Sequence, residues 1–141
     1  HRNWRADIEK IGGAAPDFPI IADDGLAVSK SFDMLPAEAY LPDGRTSADS
    51  ATVRSVFIIG PDKQLKLSMT YPMTVGRNFA EVLRALDALQ TASANGVATP
   101  VNWEVGDAIV IPANVSNEGA KARFGDFETL TPYLRKAKLP N

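Results

Sequence analysis

The sequence predicts part of an α/β domain with a mixed sheet, followed by a small C-terminal appendage. Two observations carry this. Apolar spacing alternates between helical and strand periods, in the order helix, strand, helix, two-strand hairpin, helix. Composition then shifts near residues 92–98, after Gly96, which sets the domain boundary at 1–95 and 96–141. No strand precedes the first helix, so the sheet reads as incomplete.

The elements follow in order. Trp4, Ile8 and Ile11 recur at helical spacing, with Asp7, Glu9 and Lys10 between them, and Gly12-Gly13 stops the helix over 3–11. Phe18-Pro-Ile-Ile21 is a short apolar run expected to form a buried strand. Leu26 to Phe32 suits a short helix, with Asp23 or Asp24 near its N-cap. Residues 36–51 have no period and read as a loop, with a turn at Pro42-Asp43-Gly44. Val53 to Ile59 ends apolar on both faces, the mark of a central strand. Gly60-Pro61-Asp62-Lys63 is a turn, and Leu65, Leu67 and Met69 alternate with polar residues after it. Together residues 53–70 form an antiparallel hairpin.

The clearest helix spans Arg77 to Thr91, with Phe79, Val82, Leu83, Leu86 and Leu89 as its apolar stripe, and Glu81 and Arg84 off it. Beyond Gly96 come an apolar run at Ala108–Ile111, a helix at Glu118–Phe124 and a polar end whose Arg135, Lys136 and Lys138 read as a solvated basic tail. Residues 99–141 are expected to be too few for a strong core of their own, and to pack on the rest of the chain or on a partner subunit. Trp4 and Trp103 read as core residues.

Composition narrows the chemistry. Of 141 residues, 45% are hydrophobic and 23% charged, enough to bury a core, and the net charge is -2. A balanced charge favours neither nucleic acid nor an anionic membrane as partner. There is no cysteine, so this sequence holds no disulfide, thiolate metal site or thiol nucleophile. An unstapled chain of this size suits the cytoplasm. One histidine, His1, cannot make an imidazole metal cluster, and no phosphate-binding glycine loop is present, so neither metal nor cofactor is expected. No apolar run approaches membrane-spanning length, the charged N-terminus does not read as a signal peptide, and the missing initiator methionine suggests a fragment, a cleaved product or the ordered part of a longer chain.

Two arginines stand out. Arg54 sits on a strand that becomes strongly apolar; by composition alone it reads as a cation at a strand start, reaching solvent or a carboxylate. Arg77 stands at a helix start, where a cation is mildly unfavourable against the helix dipole.

The string Val53-Arg-Ser-Val-Phe-Ile-Ile-Gly-Pro-Asp-Lys63, with Leu65-Lys-Leu67, Tyr71-Pro72 and Thr74-Val-Gly-Arg-Asn-Phe79, resembles the one-cysteine peroxiredoxins. His1-Arg-Asn-Trp4, Phe18-Pro-Ile-Ile21 with Asp23, and Val97-Ala-Thr-Pro-Val-Asn-Trp103 resemble further stretches of that family, in order, while the loop 36–51 and the tail after Glu118 match less well. The resemblance implies an incomplete thioredoxin-like (peroxiredoxin) fold with a small C-terminal extension that forms dimers. It implies reduction of hydrogen peroxide and organic hydroperoxides by a peroxidatic cysteine in a Pro-x-x-x-Thr-x-x-Cys motif. That motif would lie upstream and is absent here; a thiol reductant of unknown identity would restore the cysteine. It makes Arg54 the cation beside that cysteine and Arg77 a second active-site arginine in the same network. Some animal members carry a proposed phospholipase site with an acidic residue in the turn of Asp62; here the matching serine and histidine are absent, and Asp62 reads as a turn residue. The rival reading is a catalytically inert fragment that serves as an interaction or holdase module through the apolar surface it exposes.

Overall fold

Helix, hairpin and cap signals in the sequence translate directly into most of the observed elements. The computed structural model describes residues 2–35 and 51–140. The predicted loop 36–51, with its turn at Pro42-Asp43-Gly44, lies almost wholly outside the described residues. The chain divides into two compact units, residues 1–54 and 55–141.

In the first unit, α1 (Arg2–Gly12) ends where predicted, with Gly13 at positive φ and its N–H donating to the Glu9 carbonyl. α2 (Ala27–Ser31) is one short turn. Its N-terminal N–H groups are orphan donors, and the Asp23 carboxylate accepts from Val28 N (2.9 Å), Ser29 N (2.9 Å) and Ser29 Oγ (2.6 Å). Those bonds hold Leu26 in the left-handed region at φ 55°, which costs a non-glycine residue about 1 kcal/mol. The Ser29 hydroxyl, followed by the Val28 and Ser29 amides, holds the Asp23 carboxyl below its usual range. A depressed folded-state value means the contribution to stability is complete above the unfolded-state value and vanishes as pH falls through the folded one. The Val28 and Ser29 amide resonances will therefore titrate with a midpoint below that of a free aspartate, and Asp23→Ala will abolish the titration.

The expected buried strand at 18–21 does not form. Phe18 and Ile21 are 61% and 68% exposed, and no described strand runs alongside them. An extended run becomes a strand only when a neighbour takes up its backbone bonds, and the apolar pattern alone does not supply one.

The hairpin is β1 (Arg54–Ile59) with β2 (Leu65–Tyr71). Lys63 N and Gly60 N close the turn onto Gly60 O and Gln64 O, at 2.9 Å each. Leu67, Met69 and Tyr71 lie half-buried between exposed residues, the alternation their spacing predicts. β1 has one strand neighbour among the described residues, so it is an edge rather than the expected central strand there. α3 (Phe79–Asn95) begins two residues later and ends four residues later than the predicted helix. Asn78 caps its start by accepting from Glu81 N, and Gly96 at φ 57° ends it.

The C-terminal segment departs most from expectation. β3 (Ile109–Ile111), α4 (Asn117–Phe124), β4 (Glu128–Thr131) and β5 (Leu134–Ala137) make a three-stranded antiparallel sheet in the order β3-β5-β4, with α4 beside it. Val97, Ile109, Ile111, Ala120 and Ala137 form a closed core, flanked by Val115, Phe124, Phe127 and Leu139. The segment expected to lack a strong core has one of its own. Its basic end is no solvated tail: Arg135 is 5% exposed in the central strand. Trp103 is core as expected; Trp4 is exposed.

Candidate functional site

Arg54 opens β1 with an exposed side chain, and the strand turns half-buried immediately after it. One residue on, Ser55 Oγ meets Thr70 Oγ1 across the hairpin at 3.0 Å, which fixes the pairing just beyond the arginine. A guanidinium at this position is held by a strand at its base, on an exposed residue.

Arg77 belongs to the segment 72–78 that joins β2 to α3. Val75 N donates to Pro72 O (2.9 Å), folding the segment into a turn. Arg77 therefore precedes the cap residue Asn78 and stands outside α3, not at the helix start where the sequence predicts it. Its guanidinium lies 5.7 Å from the centre of the Phe79 ring, and that ring is 64% exposed. The structure assigns Arg54 to the first unit and Arg77 to the second, each placed by its own element.

Asp62 is occupied in the hairpin turn. Its carboxylate accepts from Lys66 Nζ and from Gln64 N (3.2 Å), and the Lys66 bond chiefly holds it below the usual carboxylate range. Among the described residues no group of three or more His, Asp or Glu could hold a metal, and no helix is long and apolar enough to cross a membrane.

Two arginines with structural duties are not announced by the sequence. Arg84 donates Nε and Nη2 to the two Glu81 oxygens (2.6 and 2.8 Å) and Nη1 to the Trp103 carbonyl (3.2 Å). The Glu81 bond lowers that carboxyl and raises the guanidinium, as a forked pair should. The Glu81-x-x-Arg84 spacing was the available signal. Arg135 donates to Asn117 Oδ1, Pro112 O and Val115 O at 2.6 to 3.0 Å, a role with no local pattern behind it.

Chemically, surface-held guanidinium donors suit an anionic or polarised oxygen or sulfur partner. Comparisons with known proteins give a family likeness for the chain. The solved structure of a yeast mitochondrial one-cysteine peroxiredoxin, described with a thiol resolving mechanism via glutathione/thioredoxin systems, matches at a TM-score of 0.86 and 46% identity, covering 98% of this chain and 64% of that one. A cysteine-to-serine mutant of the peroxiredoxin 6 of Arenicola marina matches at a TM-score of 0.83 and 41% identity, covering 99% and 65%. The fold is thus that of a peroxiredoxin, in part.

The model of the family described as the C-terminal domain of 1-Cys peroxiredoxin matches residues 88–126. Mitochondrial peroxiredoxin PRX1 of Saccharomyces cerevisiae is 47% identical over 98% of this chain and 52% of its own length; 1-Cys peroxiredoxin A of Oryza sativa subsp. japonica is 42% identical over 99% and 64%. The chain is thus similar to part of the one-cysteine peroxiredoxins, and it spans between about half and two thirds of these relatives.

Proposed function

We propose that this chain supplies the arginines of a thiol peroxidase whose cysteine lies outside the given sequence. The observation that carries the proposal is Arg54, at the exposed start of β1, inside the stretch that resembles the family, in a chain with no cysteine. In this reading the Arg54 cation lowers the pKa of a neighbouring thiol by favouring its thiolate. The thiolate attacks one oxygen of a hydroperoxide; the O–O bond breaks, sulfenic acid forms, and the other oxygen leaves as alcohol or water after taking a proton. Guanidinium donors meet the charge that develops on the departing oxygen. Arg77 is, in this reading, the family's second active-site arginine, carried by the segment before α3.

A thiol reductant returns the sulfenic acid to thiol; the yeast relative's link to glutathione and thioredoxin systems supports reductants of that class. Residues 96–141 form the dimerisation domain in this reading, and the protein works in the cytoplasm. Cell fractionation tests the location, which matters because one relative is named mitochondrial. The direct test of function joins the cysteine-bearing segment of the whole protein to this chain and follows hydroperoxide loss with a thiol reductant. Saturable turnover that disappears on Cys→Ser replacement is the expected result; no turnover would sink the proposal.

A second reading has its own support. Phe79 and Leu83 on α3 are 64% and 61% exposed, an apolar stripe left uncovered on this chain. As a stable product, the chain would then act as an interaction or holdase module. Strong binding of an apolar dye, together with suppression of client aggregation by the chain alone, would favour that reading.

A further inference from the structure

The C-terminal segment closes its own core with residues from 97 onward: Val97, Ile109, Ile111, Ala120 and Ala137, with Val115, Phe124, Phe127 and Leu139 around them. Its sheet is likewise self-contained, since Ala98 bridges Val110 and β5 pairs with both β3 and β4. None of that core comes from α3. What joins the segment to α3 is therefore a separate physical matter.

The covalent link is Gly96, at φ 57°, a conformation that glycine adopts without the penalty of a Cβ. At the seam beside it, Ala85 and Ala88 on α3 and Trp103 on the facing loop are buried, and open grooves flank them. Two grooves run along it: one of about 420 Å³ between Arg84, Ala85, Ala88 and the loop at 99–102, the other of about 500 Å³ between Leu83, Arg84, Asp87 and Trp103–Val105. Polar bonds span the seam. Arg84 on α3, oriented by its fork to Glu81, donates to the Trp103 carbonyl at 3.2 Å. Arg123 on α4 donates in the opposite direction, to the Asn95 carbonyl at 2.6 Å. That carbonyl is one of the orphan acceptors at the C-terminal end of α3, where a cation is favoured.

The receiving loop is rigid by its own bonds. Trp103 N donates to Pro100 O, Glu104 N to Asp107 Oδ2, Asp107 N to Glu104 O, and Trp103 Nε1 to Asp107 O, all at 3.0 to 3.3 Å. A self-bonded loop moves as a piece.

We infer that residues 97–140 are a hinged module, fastened to α3 by a two-arginine clasp, Arg84 to Trp103 and Arg123 to Asn95, and able to swing about Gly96 without unfolding. The clasp sets the module's orientation, and Trp103, 2% exposed, is its pin. This inference stands on packing within the chain and is independent of the peroxidase reading.

Hydrogen exchange on the 141-residue chain tests it, comparing wild type, Arg84→Gln, Arg123→Gln and the double variant. In the double variant, exchange at the Gly96 and Val97 amides, which donate to the Ala92 carbonyl across the hinge, is expected to rise roughly tenfold, while the 103–107 amides, bonded within their own loop, keep their protection. Amides of β3 and β5 keep their wild-type protection. In a Trp4→Phe background, Trp103 emission shifts to the red on the same substitution. Arg84→Lys, which keeps the charge and loses the fork, gives an intermediate rise. Unchanged exchange at Gly96 and Val97 would overturn the clasp. Loss of β3 and β5 protection together with that of the 103–107 loop, or collapse of the fold in either single variant, would overturn the independent module.

Discussion

Replacing Arg54 with alanine in the cysteine-bearing whole protein will lower the second-order rate of hydroperoxide reduction by roughly 10²–10³-fold. The size follows from two losses. Without the cation a smaller share of the thiol is thiolate at neutral pH, and the leaving oxygen loses a charged donor. Arg54→Lys should recover part of the rate, because it restores charge but not the planar fork. Raising the pH should recover part of the alanine variant's rate as well, through the first loss and not the second. Stopped-flow kinetics across pH separates the two. Since Arg54 is exposed at the first position of β1, the substitution should leave folding nearly untouched.

Ile109→Ala will destabilise the C-terminal module by about 3 kcal/mol, the largest stability effect expected of a single substitution there. Ile109 is fully buried, beside Ile111, Ala120 and Ala137. Truncation removes its transfer free energy and leaves a cavity in a small core with little freedom to collapse. Ile109→Val should cost about 1 kcal/mol. Exchange protection of β3 and β5 reports the change locally. If the module is independent, α3 amides keep their protection in both variants.

The sequence made the locally determined elements legible. α1, the hairpin turn at Gly60–Lys63 and the end of α3 at Gly96 follow from glycine, proline and apolar spacing within a few residues of each other. Elements set by distant partners were not legible in the same way. The run at 18–21 has a strand's pattern but no strand beside it among the described residues. β4 and β5 look like a polar tail because Arg135, a buried cation, finds its partners in carbonyls of Pro112 and Val115, some twenty residues upstream, which it reaches through Nη2. The stripe on α3 is apolar as its spacing predicts, yet its buried contacts lie at Ala85 and Ala88, small residues that carry little signal in a periodicity count. For the candidate site, residue pattern alone made Arg54 and Arg77 surface cations; the family likeness singled them out. The Glu81–Arg84 fork was visible as a spacing, but its reach to Trp103 needed the fold.

The central claim is that Arg54 serves a thiolate. The thiol ionisation of the cysteine-bearing protein, followed by ultraviolet thiolate absorbance against pH, tests it most directly. The account predicts a midpoint well below the ordinary cysteine value of about 8.5 in wild type, moving back toward that value in Arg54→Ala. Coincident midpoints in the two proteins would contradict it.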